Sequence, residues 1–202
     1  MSTVTKEFGF HPNHGISRLP THDVTLRGTR VTLRPLTEAD WDLLLGWNND
    51  PEVMMYADAN DFEETTMQEV QAVYRWISTH AFCFVMEVDG RPIGECWLQR
   101  MNLQRIVDQF PGEDLRRIDL AIGEKQLWGR GYGTEAIDLL VEFGFEEESA
   151  SAIFGLVLAD NRRSLRAFQK NEFRLHDVVE GEDSTVGHDL IVRRMDRRCS
   201  AP

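Results

Sequence analysis

Apolar and polar residues alternate from Arg30 to Leu36, the pattern of a strand with one buried face. Thr37, with Asp40 three residues later, then opens a helix carrying Trp41, Leu44, Leu45 and Trp47. A second helix is predicted over Thr66 to Ser78 after a polar loop. Phe82 to Val88 and Pro92 to Met101 flank Asp89-Gly90, a strong short-range signal for a hairpin. Residues 102–114 form a long excursion for a compact domain, which more often marks a functional loop than idle chain. The strand Leu115 to Ile122, a glycine turn and a helix from Glu135 to Phe145 come next. The strand Ile153 to Leu158, a helix from Asn161 to Asn171 and two strands, Phe173 to Val179 and Thr185 to Met195, close the order. Residues 1–24 read as an N-terminal arm, 25–198 as one domain and 199–202 as a tail.

Composition bounds the class. With 202 residues, 42% of them hydrophobic, the chain can bury one sizeable core. It has no apolar run near the roughly 18 residues of a membrane span and no secretory signal at its start, so a cytoplasmic protein without membrane contact is expected. Cys83, Cys96 and Cys199 lack metal-like or redox-pair spacing and read as reduced structural thiols. His80, His176 and His188 share no ligand spacing, so no metal site is expected. Trp41, Trp47 and Trp76 fall at helical spacing and read as core anchors. The net charge of -12 disfavours nucleic acid and favours a cationic partner, although acidity also serves solubility. Acidic residues crowd two segments: Asp58, Asp61, Glu63, Glu64 and Glu69 in one, and Asp108, Glu113 and Asp114 in the other.

The chemistry concentrates at Gln126-Leu127-Trp128-Gly129-Arg130-Gly131-Tyr132-Gly133-Thr134, between a strand and a helix. Glycines at alternate positions allow positive φ and close backbone approach, and the first N–H groups of the helix lack intrahelical partners. Such a turn can cradle an anion, with the helix dipole and Arg130 adding positive charge. No Lys-Ser/Thr follows, which excludes a P-loop, and the Gly-x-Gly-x-Gly spacing is not the dinucleotide fingerprint.

This turn, with Ile118 to Gly123 before it, resembles the acetyl-CoA signature of the GNAT acetyltransferase superfamily. Asn161 to Phe173 is similar to a second family segment, with Phe168 where many members have Tyr and Glu172 where they have Gly. The resemblance spans roughly residues 28–195 and includes the opening Val31-Thr32-Leu33-Arg34-Pro35. It implies an α/β fold with a central mixed, mostly antiparallel sheet, helices on both faces and strands that splay at Leu120 and Leu156. It also implies acetyl-CoA as cofactor, its pantetheine along Leu120, Ala121 and Ile122 and its diphosphate on Leu127, Trp128, Gly129, Arg130, Gly131, Tyr132, Gly133 and Thr134. Asn161 and Phe168 complete the implied cofactor contacts, although an Asn at a helix start is equally a cap.

Acetyl transfer to an amine requires a group to take the amine's proton. Asp119 interrupts the strand among Ile118, Leu120 and Ile122 on the opposite pleat, and is the leading base; an ion pair with Arg116 or Arg117 is the structural alternative. Arg117-Ile118-Asp119, with Arg91 to Gly94 and Val31 to Arg34, resembles aminoglycoside 6'-N-acetyltransferases, in which the Asp of this Ile-Asp pair is the base. Phe168 cannot supply the proton that a Tyr there would give the departing thiolate, which leaves solvent for that step. Tyr56, Asp58, Glu95, Trp97 and Asp119 are the candidate acceptor contacts. The expected partner is a small cationic amine, met by a monomer or homodimer. A ribosomal-protein type N-terminal acetyltransferase and a noncatalytic acyl-CoA- or aminoglycoside-binding module are the alternatives.

Overall fold

The structure is a computed structural model and describes residues 17–57, 64–180 and 186–198. Among these, eight strands form one sheet: β1 (Leu26–Arg27), β2 (Val31–Pro35), β3 (Ala81–Val88), β4 (Arg91–Arg100), β5 (Leu115–Ile122), β6 (Ala152–Leu158), β7 (Arg174–Glu180) and β8 (Val186–Arg193). Their order across the sheet is β1-β2-β3-β4-β5-β6-β8-β7, and β5–β6 is the parallel pair in an otherwise antiparallel set. The helices are α1 (Trp41–Asn48), α2 (Pro51–Ala57), α3 (Met67–Ile77), α4 (Gln104–Val107), α5 (Tyr132–Glu146), α6 (Arg162–Lys170) and α7 (Arg194–Arg198). This is the mixed, mostly antiparallel sheet expected of the α/β class.

The strand period of two sends alternate residues to opposite layers. In β3, Phe84 and Met86 join a cluster with Ala136, Ile137, Leu140 and Val141 of α5, whereas Cys83 and Val85 join Trp41, Leu44 and Trp47 of α1 and Val70, Tyr74 and Ile77 of α3. Helices therefore cover both faces. Trp41 and Trp47 are buried and Trp76 packs beside them, as the helical spacing predicts.

Local signals explain several boundaries. Thr66 accepts from the Glu69 N–H while Glu69 accepts from the Thr66 N–H, a capping box at the start of α3. Asp89 and Gly90 both have positive φ, the conformation a two-residue hairpin of this twist requires.

Three sequence expectations change. Residues 102–114 are a packed cover: Ile106 is buried with Met101, Leu115 and Phe154. Its carboxylates are engaged internally, Asp114 by Arg116 and Glu113 by Arg193. The expected arm does not extend to residue 24, because Leu19 is buried, its N–H donates to Glu38 (2.9 Å), and the His22 ring packs edge-on against Phe82 and Phe84. Residues 51–57, which the sequence pattern includes in the polar loop before Thr66, form α2; Pro51 starts that helix, where its missing N–H costs nothing. Residues 1–16, the tail 199–202, and Asp58, Asp61 and Glu63 lie outside the described residues.

Candidate active site

The parallel strands β5 and β6 pair over four rungs, from Leu115–Ala152 to Ile118–Gly155. Beyond that rung β5 continues to Ile122 and β6 to Leu158 without pairing to each other. Backbone polar groups along the open edges are then available to a ligand. A cleft of about 320 Å³ begins at this fork, with Leu120, Ala121 and Ile122 on one side and α6 on the other.

The glycine turn closes one end of the cleft. Gly131 caps α5 with φ 89°, a left-handed conformation that suits a residue without Cβ. The first helical bond at this end runs from the Glu135 N–H to the Gly131 carbonyl (3.1 Å), so the N–H groups of Tyr132, Gly133 and Thr134 precede it, and Gly131 has no side chain to cap them. These donors and the positive end of the α5 dipole make this helix start chemically suited to an anion. Gly133 serves packing: a Cβ there would lie 3.3 Å from Leu120 Cδ1, so α5 sits tightly on β5. Glu135 fixes the turn from outside, accepting from the Arg30 and Val31 N–H groups and pairing with the Arg30 guanidinium at 3.0 Å.

Trp128, Gly129, Gly131, Tyr132, Gly133, Thr134 and Asn161 line the cleft, as do Leu120, Ala121 and Ile122. Three other residues expected at the cofactor do not. Leu127 packs against the main core, and Arg130 is exposed, with its carbonyl accepting from Arg30. Phe168 is buried beneath the fork, stacked edge-on with Phe173 and filling the space above Gly155, where an added Cβ would meet its ring at 2.4 Å. Asn161 caps α6 by accepting from the Ser164 N–H at 3.1 Å.

Tyr56 departs from its expected role at the acceptor. It lies in the cleft beside the fork, edge-on to Trp128, and Arg163 stands 4.7 Å from its ring and 4.2 Å from that of Trp128. The Trp128 indole is held by its N–H donating to the Ile122 carbonyl at 2.6 Å. Sequence reasoning missed Arg163, Ser164, Arg166, Ala167 and Lys170 as cleft residues, although the 3.6-residue period of α6 places them on one face.

The other side of β5 carries the acidic chemistry. Glu95, Trp97 and Gln99 of β4 face Ala121, Asp119 and Arg117 of β5 across the register. Asp119, a quarter exposed, is gripped by the buried Arg117 through contacts of 2.7–3.0 Å and accepts from Gln99 at 2.6 Å. Glu95 is buried, accepting from the Tyr74 hydroxyl and, at 3.0 Å, from the Trp97 indole. Burial pushes the Glu95 carboxyl up to about 7, the two hydrogen bonds oppose that rise, and the nearby Asp119 charge adds to it. Tyr74 also accepts from Asn48 at 3.1 Å, which ties this network to α1. Trp97 is half-buried beside it.

The buried thiols are remote from nucleophilic service: desolvation pushes Cys83 up to about 12 and raises Cys96 well above its ordinary value. Among the described residues no group of three His, Cys, Asp or Glu could hold a metal, and no helix is long and apolar enough to cross a membrane.

Comparison with known proteins agrees with this geometry. The family model "Acetyltransferase (GNAT) domain" matches residues 30–174. The "Uncharacterized N-acetyltransferase p20" of Bacillus licheniformis is 23% identical over 168 residues, covering 81% of this chain and 89% of its own. The "Aminoglycoside N(6')-acetyltransferase type 1" of Klebsiella pneumoniae is 23% identical over 176 residues, covering 85% and 87%. The solved structure of AAC(6')-Ib in complex with ribostamycin and coenzyme A shares the fold, with a TM-score of 0.71 and 21% identity over 86% of this chain and 98% of that one.

Proposed function

The chain belongs to the GNAT acetyltransferase family, and from that premise we propose that it acetylates an amine of a small polycationic substrate, an aminoglycoside 6'-amine being the first candidate. The observation that carries this reading is the convergence of Asp119, Glu95 and the Trp97 indole on one side of β5, at the fork beside the cofactor cleft. An anionic floor with an aromatic wall attracts an ammonium group.

The residues present fit acetyl-CoA: an open strand edge at Leu120 to Ile122 for its amide-rich arm and free amides at Tyr132 to Thr134 for its diphosphate. When bound, it supplies an activated acetyl thioester. Asp119 holds the acceptor nitrogen and takes its proton, so that a neutral amine attacks directly. Arg117 and Gln99 orient that carboxylate, and its remaining exposure of about a quarter is the side open to the substrate. Glu95 stands behind it and positions Trp97.

Thiol release from acetyl-CoA across aminoglycosides, polyamines and N-terminal peptides tests this reading. Turnover with 6'-amino aminoglycosides is expected. Turnover confined to peptides would assign the acceptor to a protein N-terminus, and binding without turnover for every amine would favour a noncatalytic module.

A further inference from the structure

The cleft holds a second cationic element that faces the α5 amides. Arg163, Arg166 and Lys170 lie three and four residues apart on α6, which aligns them as one row, and all three line the cleft. The opposite side of the same helix buries Leu165 and Phe168 in the core, which fixes the direction of the row. None of the three enters an ion pair among the described residues. By contrast, Arg34, Arg105, Arg116, Arg117 and Arg193 are each held by a carboxylate. In a chain of net charge -12, three cations along one cleft wall with no ion pair among the described residues call for an anion.

Arg163 is prepared for one. Its guanidinium rests against the faces of Trp128 and Tyr56, so the aromatic contacts use the plane of the group and leave its in-plane N–H donors directed elsewhere. Holding the side chain in place before binding lowers the entropic cost of the contact. The backbone seat at Tyr132 to Thr134 accommodates the diphosphate, so the row lies across the cleft for a further phosphate.

We propose that Arg163, Arg166 and Lys170 form a second anion subsite that takes the phosphate on the ribose of the donor's nucleotide, and so selects coenzyme A over its 3'-dephospho form. The subsite rests on the reading that acetyl-CoA occupies this cleft. No covalent step is involved. Arg163 offers the fork geometry that matches phosphate oxygens, and Arg166 and Lys170 add charge from neighbouring turns.

Calorimetric titration of the full chain with coenzyme A and with 3'-dephospho-coenzyme A tests the subsite, using the wild type and the double variant Arg166→Gln, Lys170→Gln. Both substituted side chains are exposed, and far-ultraviolet circular dichroism confirms that the variant is folded. The wild type should bind coenzyme A about tenfold or more tighter than the dephospho form, the scale of one charge-assisted contact. The double variant should lose most of that preference by weakening for coenzyme A alone. Equal wild-type affinities, or equal weakening for both ligands in the variant, would overturn the subsite while leaving the donor assignment intact. Failure of the folded wild type to bind either ligand would overturn the donor assignment and the subsite with it.

Discussion

Arg117 and Asp119 stand two residues apart on one pleat of β5, with the guanidinium Nη2 2.7 Å from Asp119 Oδ1 and its Nε 2.9 Å from Oδ2. The arginine is buried and the carboxylate is a quarter exposed, so the pair presents its acidic end toward the fork. Removing the charge from Asp119 strands a buried guanidinium as well as removing the proposed base. Asp119→Asn is expected to lower kcat by about 10²- to 10⁴-fold, the range for a lost general base, with acetyl-CoA affinity retained. Steady-state kinetics with a titration of the donor checks this. Near-normal turnover in the folded variant would make Asp119 structural and move the base to Glu95 or a water.

Glu95 predicts a pH dependence of stability. Burial holds its carboxyl near 7 in the fold against an ordinary value of 4.5, so the folded state binds the proton more tightly than the unfolded chain. That preference is fully present below about 4.5 and is lost as the pH rises through about 7. The difference corresponds to roughly 3 kcal/mol at most, at about 1.4 kcal/mol for each tenfold change. Glu95→Gln removes the titration, at a pH-independent cost because Trp97 then lacks a carboxylate acceptor. Urea unfolding between pH 4.5 and 8 should show the wild type losing stability relative to the variant; parallel curves would show that Glu95 does not titrate there.

The elements near the site were legible where the periodicity was strong. Alternation at Ile118, Leu120 and Ile122 defined β5, and glycine spacing before an apolar helical run located the turn that starts α5. What tertiary placement decides was not legible. Glu95 reads from sequence as an acceptor contact or an ordinary exposed strand carboxylate, and neither reading foresees that Tyr74, 21 residues earlier on α3, covers it. Tyr56 reads as an acceptor contact until α2 carries it to Trp128 and Arg163. The row Arg163, Arg166 and Lys170 has the spacing of a solvated helix face, and its position across from α5 is visible in the folded chain alone. Phe168 was assigned by motif position, whereas the small Gly155 beneath it draws the ring into the core.

Salt dependence separates general from local attraction. The carboxylates of Asp114 and Glu113 already face Arg116 and Arg193, so they offer little to a substrate. Asp114→Asn should therefore leave the acceptor KM within about twofold of wild type, as expected for an exposed, internally paired charge. Raising ionic strength should still raise the acceptor KM, because attraction to the net acidic surface is screened over roughly 10 Å at 0.1 M salt. A salt-independent KM for a charged acceptor would remove surface attraction from the account.

Gly131 and Gly133 lie in the same turn but fail in different ways when substituted. Gly131 has φ 89° and its added Cβ would meet only the flexible Arg30 side chain, at 3.3 Å, so substitution strains the backbone without invading the core. Gly131→Ala is expected to cost about 1–2 kcal/mol from the left-handed conformation alone, and Gly131→Asp adds a negative charge at the start of α5. Gly133 has helical backbone and is buried against Leu120 and Ile122, so Gly133→Asp drives a carboxylate into apolar packing and should chiefly destabilise the fold. Thermal melts and coenzyme A titrations of the two Asp variants distinguish these effects. Gly131→Asp should stay folded and lose coenzyme A affinity by about tenfold or more, one charge-assisted contact's worth, whereas Gly133→Asp should lower the melting temperature first. Unchanged affinity in folded Gly131→Asp would remove the diphosphate from the α5 terminus.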